Sequence, residues 1–184
     1  MRKKPNWLLI VGLSVAGLCL ICCLGAGAIA LAFPSLYQYT LNSTSLAVGD
    51  AAPDFELQTL DGTTVQLSNF QGKPILLTFG ATWCPDCRAE APLLEELHQN
   101  SPDLVILSVD SKEASDVVQG YVDEFGITYP VLLDEDGSVN QLYQVFAIPT
   151  VLFIDADGII RAKIIEKVTS EILEEKLPLI GIDL

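Results

Sequence analysis

The sequence predicts an α/β fold, in which a central mixed sheet is covered by helices on both faces. Three observations carry that reading. Short apolar runs suited to buried strands recur at 75–80, 104–109, 131–133 and 150–154. Stretches of helical periodicity separate them, and polar-alternating segments around Asp-Gly pairs supply hairpins.

In chain order, residues 54–58 and 63–67 nearly alternate in polarity around Asp61-Gly62, a hairpin signal. The run 75–80 is apolar and reads as a buried strand. A helix is predicted over 89–99, where Leu93, Leu94 and Leu97 fall at helical spacing. Pro92 removes one of its backbone hydrogen bonds, so a kink is expected. A second strand follows at 104–109. The next helix, 115–125, carries Val117, Val118, Tyr121, Val122 and Phe125 as a core-facing stripe. A strand at 131–133, a short helix at 137–143 and a strand at 150–154 follow, and Asp157-Gly158 turns the last into a strand at 159–166. Thr169 or Ser170 caps a final helix ending near Pro178.

The N-terminus has a different character. Arg2-Lys3-Lys4 precedes an uncharged run, 7–33, long enough as a helix to cross a hydrocarbon core of about 30 Å. A cleavable signal has an apolar core of only about 7–15 residues. An uncleaved transmembrane anchor is therefore expected, although Ala28-Ile29-Ala30 and Ala30-Leu31-Ala32 offer small-x-small sites. Basic residues before the span keep that end cytoplasmic and send the remainder outside. The expected organisation is a cytoplasmic basic segment at 1–6, an anchor at 7–33, a polar tether at 34–47 and a folded domain at 48–184. Cys19, Cys22 and Cys23 read as small apolar fillers of the span, and Asn42-Ser43-Thr44 in the tether is a glycosylation sequon.

Removing Arg2, Lys3 and Lys4 from the 10 basic residues leaves 7 against 24 acidic ones, a net charge of −17 beyond the span. So acidic a domain excludes nucleic-acid binding by charge, and the charge serves solubility.

Chemistry concentrates at Trp83-Cys84-Pro85-Asp86-Cys87, between the strand at 75–80 and the helix that follows. Two sulfurs three positions apart at a helix start lie close enough to close a disulfide. The first also meets unpaired N–H groups and the positive end of the helix dipole, which favour its thiolate. Half a zinc site has the same spacing. With five Cys and one His in the chain, no second pair completes a four-ligand site, so no metal and no cofactor is expected. The folded domain has no other Cys, which points to redox work rather than to a structural staple. His98, at a helix end, reads as an exposed surface residue.

These motifs, with Val48-Gly49-Asp50-Ala51-Ala52-Pro53-Asp54-Phe55, Tyr129-Pro130-Val131 and Ile148-Pro149-Thr150 before Asp155-Ala156-Asp157-Gly158, resemble the membrane-anchored TlpA/ResA-like thioredoxins in order and spacing. The resemblance implies a thioredoxin-like mixed sheet flanked by helices, with an N-terminal β-hairpin extension and the transmembrane helix. It makes Cys84 the exposed nucleophile, Cys87 the resolving thiol and Pro149 a cis-proline facing the pair. Trp83, Pro85, Ile148 and Thr150 then join Pro149 in contacting substrate. Glu90, three residues after Cys87, matches an acidic residue near the active site and is expected to relay the Cys87 proton. The implied function is extracytoplasmic reduction of disulfides in exported proteins such as apocytochrome c, with a CcdA/DsbD-type membrane electron donor.

Two departures from the pattern bear on the redox potential. The dipeptide between the cysteines is Pro85-Asp86, with proline first, and Thr78 stands where thioredoxin has a buried Asp. A thiol-dependent peroxidase is a second reading, although Ala81 occupies the place of that family's Thr three residues before the reactive Cys. A non-catalytic metal or haem-assembly chaperone is a third.

Overall fold

The computed structural model describes residues 46–183. The expected cytoplasmic segment, the anchor at 7–33 and nearly all of the tether lie outside the described residues. Among those described, no helix is long and apolar enough to cross a membrane.

Seven strands form one mixed sheet. They are β1 (Glu56–Thr59), β2 (Thr64–Gln66), β3 (Ile75–Gly80), β4 (Val105–Ser111), β5 (Val131–Asp134), β6 (Thr150–Ile154) and β7 (Ile160–Ile164), in the spatial order β2-β1-β5-β4-β3-β6-β7. The central β3, β4 and β5 are parallel, and every other pairing is antiparallel. The helices are α1 (Pro85–Asn100), α2 (Ser115–Phe125), α3 (Ser138–Leu142) and α4 (Ser170–Lys176). The predicted N-terminal hairpin is present, with Gly62 at φ +80° in its turn. Beyond the sequence-level expectation, β1 also pairs with β5 and so extends the sheet at one edge.

Period-two alternation sorts the central strands into two cores. Ile75, Leu77 and Phe79 of β3, with Leu107 and Val109 of β4 and Leu152 and Ile154 of β6, pack toward α3 and the aromatic pair Phe55 and Tyr143. Leu76, Ile106, Val151 and Phe153 face the other way, against Ala91, Leu94 and Leu97 of α1 and Leu173 of α4. The central strands are buried on both faces, which is why their sequences read as continuous apolar runs.

Two expectations are corrected. The cysteine helix starts at Pro85, four residues earlier than its apolar periodicity indicates, because the cysteines form its first turn. It continues through Pro92, so the proline does not end it. Pro92 lies on its exposed face, where the carbonyl one turn back can turn toward water. The stripe on α2 is only partly core, since Val118 is buried, Tyr121, Val122 and Phe125 are half-buried and Val117 is exposed. Only one line of its apolar face is sealed.

Candidate active site

Cys84 is the N-cap of α1 and has extended backbone, which puts Pro85 at a position where its missing N–H costs nothing. Asp86 adds a favourable charge to the first turn. Cys84 and Cys87 are joined in a disulfide with Cα atoms 5.2 Å apart, and the Cys87 N–H donates to Cys84 Sγ at 3.2 Å. That bond uses one of the helix's orphan donors on the sulfur that becomes the thiolate.

The expectation of an exposed Cys84 is corrected for this oxidised form, in which Cys84 is only 4 % accessible. Ala81, Cys87 and the half-buried Ile148 pack around it. Two large apolar side chains near these segments in the chain are exposed instead. Trp83 is 68 % accessible, and Phe146, which sequence reasoning passed over, is 92 % accessible. The Ile148–Pro149 peptide is cis, Pro149 and Thr150 are buried, and Thr150 Oγ1 donates to the Ala147 carbonyl at 2.7 Å. Pro85 is exposed.

The loop entering the site is held from two sides. Glu113, after β4, accepts from Thr82 N–H at 2.6 Å and from Thr82 Oγ1 at 2.7 Å. Arg88 donates to the Thr82 carbonyl at 3.2 Å, pairs with Glu124 and lies over the Phe125 ring at 4.9 Å. Tyr121 of α2 donates its hydroxyl to the Cys87 carbonyl at 3.3 Å.

Beneath the disulfide, the sheet turns polar toward the C-terminal ends of its parallel strands. The β3–β4 register places Leu76 beside Ile106, Thr78 beside Ser108 and Gly80 beside Asp110, all on the face that α1 covers. Glu90 drops from α1 onto this polar strip and is only 3 % accessible, so it is not a solvated helix-face carboxylate. Its two oxygens accept from Thr78 Oγ1 at 3.4 Å and Val168 N–H at 3.1 Å. Thr78 thus supports a carboxylate supplied by the helix. Burial pushes the Glu90 carboxyl up to about 7, against the lowering influence of those two hydrogen bonds. A group that titrates near neutrality at this position can hold or release a proton during exchange.

Asp110 is a second buried carboxyl in the same place and was not singled out from sequence. It is 5 % accessible, and burial followed by the charge of Glu113 raises it to about 8. A charged residue ending an otherwise apolar strand, next to the strand that leads into the cysteines, was the available signal. His98 is also corrected. It is half-buried with its ring edge-on to Tyr129 at 6.0 Å, about 16 Å along the helix from Cys87 and so outside the site.

Gly80 has a packing role here, since a Cβ built on it would lie 3.3 Å from Cys87 Sγ. A disulfide cannot yield as a free thiol side chain can. Gly80→Ala is therefore expected to make the disulfide easier to reduce, seen as a less negative potential in a thiol redox titration. An unchanged potential would show that the contact is relieved elsewhere.

Residues 48–163 match the AhpC/TSA family. Thiol-disulfide oxidoreductase ResA of Oceanobacillus iheyensis is 41 % identical over 119 residues, covering 60 % of this chain and 61 % of that protein. Thioredoxin-like protein YneN of Bacillus subtilis is 36 % identical over 150 residues, covering 79 % of this chain and 88 % of that one. Among solved structures, a secreted Mycobacterium tuberculosis disulfide oxidoreductase homologous to E. coli DsbE superposes with a TM-score of 0.63 at 27 % identity, over 67 % of this chain and 94 % of that one. The sheet order and flanking helices are thus the thioredoxin-like arrangement, and the cysteine pair sits where such a fold carries its chemistry. By sequence, fold and site the chain belongs to the AhpC/TSA family, as a thiol–disulfide oxidoreductase of the ResA and DsbE type.

Proposed function

We propose that the protein is an extracytoplasmic reductant of disulfides in exported proteins, apocytochrome c among them, tethered by a transmembrane anchor at 7–33. The basic-then-apolar N-terminus supports the location, as does the likeness to an oxidoreductase described as secreted. The observation that carries the reading is the Cys84–Cys87 disulfide at a helix start, with Ile148 packed against it and the neighbouring Trp83 exposed at the surface. An extended client segment docks on that surface, with Pro85, Pro149 and Thr150 shaping the floor. The Cys84 thiolate attacks the client disulfide, giving a mixed disulfide and one client thiol. Cys87 then loses its proton and attacks Cys84, which releases the second client thiol and leaves the enzyme oxidised. A membrane electron donor of the CcdA/DsbD type returns two electrons and two protons to the pair.

The reduction potential of the full-length protein tests this direction. A value nearer thioredoxin's roughly −270 mV than the roughly −120 mV of a strong oxidant is expected, and one above about −150 mV would make the protein an oxidase instead. The peroxidase alternative requires dithiol-dependent peroxide consumption by the same preparation, and none is expected.

A further inference from the structure

Resolution poses a transport problem. Cys87 loses a proton on the buried side of the disulfide, while the departing client thiolate gains one on the exposed side. Glu90 can take the Cys87 proton, but it is itself almost wholly enclosed and both of its oxygens are occupied by Thr78 and Val168. A proton held there needs a way out.

Thr78, Gly80, Cys87, Glu90, Asp110, Tyr121 and Tyr129 line a cavity of about 20 Å³, room for one water. Asp110 is the strand partner of Gly80, so its side chain leaves the sheet on the face where Gly80 approaches Cys87 Sγ. Its Oδ1 is buried and has no hydrogen-bond partner among the described residues. Such an orphan acceptor is costly unless it holds a proton or a water. On its other side Asp110 is close enough to Glu113 for that carboxyl to act on it electrostatically. Burial, and after it the charge of Glu113, favour the protonated form of Asp110. Glu113 in turn is half-buried and grips Thr82, two residues before Cys84.

We propose that Asp110 and Glu113 form a proton conduit from the cavity behind Cys87 to the rim beside Cys84. During closure, Cys87 S–H gives its proton to the cavity at Glu90, and the Asp110–Glu113 pair passes one proton outward. The Cys87 thiolate forms the bond to Cys84 Sγ, the bond from Cys84 to the client sulfur breaks, and the client thiolate leaves with that electron pair and takes up a proton at the rim. Opening by an electron donor runs the same path backward. The proposal rests on the thiol–disulfide exchange reading above. The groups facing Asp110 are Cys87 and Glu90 on α1, Glu113 beyond β4, Tyr121 on α2 and Tyr129 before β5. The two tyrosines stay neutral, since burial raises both phenols.

The test is Asp110→Asn in the full-length protein, with closing and opening followed in single turnovers against a disulfide peptide and a dithiol. Near pH 7 both rates should fall about tenfold together, leaving the potential unchanged, because Asn and a protonated Asp are equally neutral. The deficit should shrink as pH rises past the ordinary thiol range at about 8.5, since closure then needs less proton transfer. A loss confined to one direction, or one that persists at high pH, would mark a structural role and overturn the proposal. So would rates within twofold of the parent at every pH. An inactive parent would instead sink the exchange reading. Should the variant not fold, the parent's infrared difference spectrum decides. A protonated-carboxyl band present at pH 7 and lost by pH 9 is expected, and its absence would overturn the conduit.

Discussion

Cys84→Ala is expected to abolish disulfide reduction outright, whereas Cys87→Ala should retain the first attack and stall as a mixed disulfide with its client. The order follows from the helix. Cys84 Sγ, at the N-cap, accepts the Cys87 N–H and meets the positive end of α1, so its thiolate is the stabilised one. Cys87 lies one turn further into the helix, against Gly80 and the cavity, and has no such stabilisation at the helix start. Non-reducing electrophoresis of each variant after incubation with a disulfide-bearing peptide separates the roles. Reducible adducts with Cys87→Ala alone are expected, and equal trapping by both variants, or by neither, would reverse or remove the assignment.

Glu90→Gln carries the second large effect. With the proton acceptor replaced by a neutral amide of the same shape, resolution near pH 7 should slow by about 10²-fold while the initial attack by Cys84 is unchanged. The inflection near pH 7 in the resolution rate should disappear with it. The same substitution has an equilibrium signature in the oxidised protein. The folded state raises the Glu90 carboxyl from 4.5 to about 7, so folding favours its protonated form. That contribution is fully present below about pH 4.5 and is lost as pH rises through about 7, at a cost on the order of 3 kcal/mol. Denaturant unfolding should therefore show the parent weakening over that window and the Gln variant holding level. A parallel decline in both, with equal resolution rates, would assign the pH dependence to other groups and end the relay role.

The elements themselves were legible in the chain. Buried parallel strands must be apolar on both faces, so 75–80 and 150–154 could be read directly, and Thr169 does cap the last helix with its hydroxyl toward Ile172 N–H. The cysteine pair was legible for a local reason too, since closing a disulfide across three residues and polarising it at a helix start depend only on neighbours in sequence. Glu90 could be placed on the Cys87 side of the helix by its spacing. Its burial could not be read, because that depends on Thr78 and Val168, which reach it from β3 and from the segment before α4.

Asp110 shows the boundary most clearly. In sequence it is one of 24 acidic residues, 23 positions after Cys87. It becomes part of the site only because β4 runs parallel to β3 in a register that sets it beside Gly80. The sequence by itself determined the strands, the helices and the reactive sulfurs, whose physics is periodicity, capping and short-range geometry. Only the tertiary structure decided which carboxyls are enclosed behind those sulfurs, because desolvation is a property of what packs against a group from distant parts of the chain.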